Sequence, residues 1–185
     1  LGIGARFFKV WPLALQLRLL GENFIPAYYS ATYDNYRPVY YAIAAAEEEV
    51  IPFTAGWFTS TGFAFLDDQI ALDISLDGPI VKPLPDEPDN WVNYPHLRMT
   101  FVVGQGLLQE FDFNFWYDMK DIQEFADLFD ATDAVIGAAI NYYSGPAVIT
   151  LEWDIKYVPK PEQDPNDPKS AWDTTAKLTS SISLF

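Results

Sequence analysis

Glu110-Phe111-Asp112-Phe113-Asn114 is the stretch of this 185-residue chain whose residue types and spacing come nearest to catalysis. On a strand, every second side chain falls on the same face. Glu110, Asp112 and Asn114 would therefore share a side, and paired carboxylates so placed can cleave a glycosidic bond as nucleophile and acid. The third position is an amide, which supplies no proton, so the favoured reading is the polar side of an amphipathic strand, without catalysis. His96 is the only imidazole and no Gly-x-Ser-x-Gly elbow accompanies it, so it is read as structural. Gly104-x-Gly106 alone is a tight turn, not a phosphate loop. Glu47-Glu48-Glu49 and Asp127, Asp130 and Asp133 lack the alternate-position spacing of a calcium loop and read as solvated helix faces, while Asp67-Asp68 reads as a turn. No cofactor and no metal site are expected.

Twenty-six acids against eleven bases give a formal charge of −15, and the bases are isolated along the chain. That field repels phosphate backbones, so direct nucleic-acid binding is rejected. Such acidity suits solubility and a high-salt, halophilic setting. Cysteine is absent, which excludes thiolate metal sites and disulfides and leaves the redox compartment unread. The longest apolar runs fall short of a membrane-spanning helix, and no membrane insertion is expected. Leu1 is not an initiator Met and no signal-peptide pattern follows it, which suggests a processed or trimmed start.

Half the residues are hydrophobic and 17% are aromatic, the mark of a β-rich globular chain with a ring-heavy core. Alternation predicts strands over 10–20, 54–66, 70–77, 96–103, 111–117 and 147–157, with hairpins at Asp67-Asp68 and around Gly104-Gln105-Gly106. Residues 21–41 and the proline-rich 78–95 read as long loops, and "AIAAAEEEV" as a short helix. Over 119–143 the period changes: Ile122, Phe125, Leu128, Val135, Ile136, Ala139 and Ile140 fit a helical face, with Asp118 as N-cap and Ser144-Gly145-Pro146 as the stop. The expected fold is all-β, an antiparallel jelly-roll β-sandwich over residues 1–158 with one helical insertion before the last strand. An extended C-terminal arm is expected over 159–185, kept stiff and unpaired by its prolines.

The segment "SGPAVITLEWDIKYVPKP" resembles the C-terminal strand of single jelly-roll capsid proteins of icosahedral viruses, through Gly145, Ile149, Leu151, Glu152-Trp153, Ile155, Tyr157 and Pro159. That family usually carries a basic N-terminal arm, which is missing here. The departure directs the resemblance toward acidic capsid proteins of haloarchaeal and thermophilic viruses with an internal membrane. It implies a structural protein and not an enzyme: a major capsid subunit, located in the virion, assembling with copies of itself and with a second capsid protein. The aromatic loops and the tail supply the candidate subunit contacts, Tyr28, Tyr29, Tyr33, Tyr36, Trp91, Tyr94, Trp172, Leu184 and Phe185. The alternative is an extracellular carbohydrate-binding β-sandwich that stacks sugars on these rings. Its glycoside-cleaving form would use Glu110 and Asp112, on a strand that resembles the Glu-x-Asp strand of jelly-roll glucanases.

Overall fold

Alternating apolar and polar side chains produce strands wherever the sequence shows that period, and tight turns join them in pairs. The structure is a computed structural model. It describes residues 1–21, 24, 37, 41, 45, 53–80, 95–120, 122, 125–129, 134–157 and 172–182. Nine strands form one sheet in chain order: β1 (Gly2–Phe7), β2 (Trp11–Leu20), β3 (Thr54–Phe65), β4 (Ile70–Pro79), β5 (His96–Leu108), β6 (Phe111–Met119), β7 (Ala134–Ser144), β8 (Ala147–Tyr157) and β9 (Trp172–Ile182). Every neighbouring pair is antiparallel.

The connections alternate in length. Those of 8–10, 66–69, 109–110 and 145–146 are tight and lie at one end of the sheet; those spanning 21–53, 80–95, 120–133 and 158–171 are long and lie at the other. The first tight turn holds Phe8 and Lys9 at φ of 51° and 62°, and Val10 N–H donates to the Phe7 carbonyl at 3.0 Å. Two successive positive φ values match the right-handed twist of a hairpin. Gly145, at φ of 58°, makes the β7–β8 turn without the Cβ clash other residues would suffer.

Several expectations change. The described strands make one meandering sheet, with no sandwich or jelly roll shown; hairpin alternation is common to both arrangements and does not reveal what each face packs against. The helix expected over 119–143 is replaced by a 3-10 turn at Phe125–Phe129 and by β7. Val135, Ile136, Ala139 and Ile140 satisfy both periods because the residues between them, Gly137 and Ala138, are small, and the flanking ladders of β6 and β8 decide for strand. Asp118 caps no helix; it lies in β6, opposite Arg98. Strand β8 is not the last, because Trp172–Ile182, inside the segment expected to leave as an arm, returns to pair with β8. Strand β1 was not anticipated at all. Of "AIAAAEEEV" only Ala45 is described, with helical backbone.

Candidate functional site: an uncharged outer face and a charged inner face

The register makes the two faces of the sheet directly comparable. One row crosses it as Leu13, Thr61, Ile74, Met99, Tyr117, Ile136, Ile155 and Thr174. The row one residue along each strand crosses as Gly62, Asp73, Thr100, Trp116, Gly137, Asp154 and Thr175 on the opposite face. The pattern holds over all nine strands. Every Asp, Glu, Lys, Arg and His within them falls on the second face, and the first carries none.

The uncharged face exposes large apolar side chains. Ile3, Leu15, Leu17, Phe63, Ile140, Ile149 and Leu178 are exposed, Leu15 by 50% and Leu178 by 70%. On the charged face, Gly62, Ala64, Gly137, Ala139, Val135 and Asp118 are buried. The faces are therefore called outer and inner. Among the described residues the outer face is covered at the long-connection end, where Met119 and Ala134 pack with Ile122 and Leu128, beside Leu76, Leu97 and Tyr117.

Large rings border the outer face. Toward the tight turns stand Phe7 and Trp11, with ring centroids 5.8 Å apart, and Phe111 and Tyr142, 5.0 Å apart. Toward the long connections stand Trp57, whose indole N–H donates to the Pro79 carbonyl at 3.1 Å, and the edge-to-face pair Tyr157 and Trp172 at 5.6 Å.

Two polar networks occupy the inner face. Near the tight turns, the Asp112 carboxylate accepts from Asn141 Nδ2 at 2.6 Å, from the Tyr143 hydroxyl and from Asn114 Nδ2 at 3.4 Å, while Thr150 donates to Asn141 Oδ1 at 2.5 Å. The hydrogen bond to Asp112 holds the Tyr143 phenol above its ordinary pKa. This network ties β6, β7 and β8 into one register.

Near the long connections, Arg18 lies 4.1 Å over the Phe58 ring and reaches across Gly56 of β3 to Asp77 Oδ2 at 3.3 Å. His96 stands between two carboxylates, Nδ1 at 3.4 Å from Asp77 and Nε2 at 2.9 Å from Asp118. Arg98 Nε donates to Asp118 Oδ2 at 3.2 Å. Burial alone would lower the His96 pKa, but hydrogen bonds to Asp118 and then Asp77 outweigh it and the net shift is upward. Burial likewise pushes Asp118 up, and His96 with Arg98 brings it below its ordinary value. Lys120 is 4% exposed, and burial brings its pKa down to about 8 against the pull of Asp118 and Asp77.

The residues singled out from sequence fare unevenly. Glu110 lies in the β5–β6 turn and takes no part in the network of Asp112 and Asn114. Trp172 opens β9 on the outer face, paired with Tyr157. Tyr28, Tyr29, Tyr33, Tyr36, Trp91, Tyr94, Leu184 and Phe185 lie outside the described residues. The His96 cluster was missed; the signal for it was charged residues at even spacing on β4, β5 and β6, which acquires meaning only once the register is known. No protein family matches the chain, and no curated protein or solved structure matches it.

Proposed function

We propose that this sheet is the wall of a transmembrane β-barrel, with its outer face against lipid hydrocarbon and its inner face lining a polar passage. The observation that carries the reading is the absence of any charge on the outer face of all nine strands, which exposes large apolar side chains on β1–β3 and β7–β9, while every strand charge falls on the other side. A lipid-facing band alternating with a polar lumen is the pattern such barrels require. Strand length supports it, since β2 to β9 run from 9 to 13 residues and a tilted membrane-crossing strand needs about 9–11. So do the rings bordering both ends of the outer face and the segregation of tight turns from long connections. Among the described residues no helix is long and apolar enough to cross a membrane. Open sheet edges are not tolerated in hydrocarbon, so closure must bring backbone partners to β1 and β9. These two strands run in the same direction: closing directly makes one parallel pair, and one added strand makes every pair antiparallel.

The reading replaces the expectation of no membrane insertion. A jelly-roll capsid subunit is the second reading, favoured by the resemblance of the β8 segment and by an apolar face that sister subunits would cover. Expression and fractionation separate the two. The barrel wall stays in the membrane fraction after alkaline and high-salt washing and is released only by detergent. Large particles in detergent-free buffer would sink the membrane reading and support the shell.

A further inference from the structure

Among the described residues Trp116 is the one tryptophan on the inner face, and it is half-buried. Its indole lies along the sheet. A Cβ placed on Gly137, its partner on β7, would collide at once with Cε2, Cζ2 and Nε1 of the ring. The glycine thus gives the indole a seat on the sheet. Next in the row is Asp154 of β8, the register partner of Gly137. Cβ positions directly opposite on neighbouring strands are about 5 Å apart, so the indole, seated where a Gly137 side chain would be, and the Asp154 carboxylate are immediate neighbours. Thr175 follows on β9, exposed and opposite Asp154.

These polar groups are uncommitted. Among the described residues the Trp116 indole N–H has no acceptor and the Asp154 carboxylate no donor. Elsewhere in the sheet the same groups are satisfied: Trp11 donates to Thr61 Oγ1 at 2.8 Å and Trp57 to the Pro79 carbonyl, while Asp77, Asp112 and Asp118 all have partners. An aromatic ring bordered by a free donor, a free acceptor and a hydroxyl is the complement of a sugar, whose faces carry C–H bonds and whose rim carries hydroxyls that both donate and accept. An organic ammonium would use the ring and the carboxylate, but it offers no acceptor to the indole N–H. We propose that Trp116, Asp154 and Thr175 form a binding site for a neutral sugar, stacked on the indole with its hydroxyls donating to Asp154 and accepting from Trp116. That the site opens into a passage rests on the membrane reading; the binding itself does not.

The test is calorimetric titration of the full chain, folded in micelles of a detergent without a sugar headgroup, with maltose and separately with choline chloride. Circular dichroism checks that each variant keeps its sheet. The expected result is saturable binding of maltose, weakened ten-fold or more by Trp116→Leu and by Asp154→Ala. Trp116→Phe, which keeps a ring but loses the N–H, should weaken it less than Trp116→Leu. Trp153→Leu should leave it unchanged, since Trp153 neighbours Asp154 in sequence but lies on the outer face. Failure of maltose to bind, or binding that survives Trp116→Leu or Asp154→Ala, overturns the site. Choline bound in preference to maltose overturns the sugar assignment. A chain that inserts into vesicles but ignores maltose refutes the site alone, and one that binds maltose but does not insert refutes the membrane reading alone.

Discussion

His96 joins three strands through two carboxylates, and both of its ring nitrogens are engaged only while the ring carries both protons. Its folded pKa lies above the ordinary 6.5, so its contribution to stability is complete below about pH 6.5 and is lost as pH rises through the folded value. Lys120 acts in the opposite sense: with its pKa lowered to about 8 from 10.5, it makes stability rise with pH only above about 8. Thermal midpoints measured in detergent should therefore fall between pH 6.5 and 8 in the parent protein. The same scan on His96→Gln should be flat over that window, and an equal fall in both would refute the assignment. Gly137 marks a second constraint at this scale. A Cβ there would stand 2.0 Å from Cε2 of the Trp116 indole, so the ring lies directly across the glycine on the inner face. Gly137→Ala must displace the indole and is expected to cost about 1–3 kcal/mol, read as a lowered unfolding midpoint. Gly137→Ala combined with Trp116→Leu should recover most of that loss.

At the scale of the strand, the proposal predicts an asymmetry that exposure alone would not. Leu15 and Leu178 are already half or more open, and in a water-soluble sheet Lys at either position should change stability little. Facing hydrocarbon near mid-strand, Leu15→Lys or Leu178→Lys should cost about 2–4 kcal/mol in a bilayer. Thr179→Lys, on the opposite face of β9, should be nearly neutral. Urea unfolding of the three variants in lipid vesicles measures the difference, and equal effects on the two faces would reject the lipid assignment. The strands were legible in the sequence because period two is local: β2, β3, β4, β6 and β8 are all visible as alternation. Which way the apolar side turns was not legible. Leu13, Leu15, Leu17 and Leu19 look alike whether they meet a second sheet or lipid, and the sandwich reading assigned them to a core. Strand β7 was hidden for a related reason, because Ala-Val-Ile-Gly-Ala-Ala-Ile is apolar on both parities and only its neighbours' ladders settle its period. Of the candidate site, Asp112 and Asn114 were readable as one face of one strand. Their partners Asn141, Tyr143 and Thr150 come from strands that pairing alone brings near.

For the whole molecule, the decisive question is whether the sheet crosses a membrane or merely rests its apolar side on one. The rings set the scale: Trp57 and Phe65 on β3 are eight residues apart, about 26 Å along the strand and roughly 20 Å along the membrane normal at a tilt near 40°. That approaches the height of a lipid-facing band, and Trp153 on β8 lies midway in the corresponding interval while Trp172 lies at its border. Trp116 shares their depth range but faces inward. Variants retaining one of the six tryptophans, reconstituted in vesicles of lipids brominated at different acyl depths, should then divide three ways. Trp153 should be quenched most by bromines near the bilayer centre, Trp172 most by bromines near the headgroups, and Trp116 by neither. A sheet lying flat on the surface would bring Trp153 and Trp172 to the same shallow depth, because their outer-face positions would then be level. A soluble shell subunit would leave all three unquenched. Deep quenching of Trp153 together with protection of Trp116 is compatible only with a sheet that stands across the bilayer and keeps lipid off its charged face.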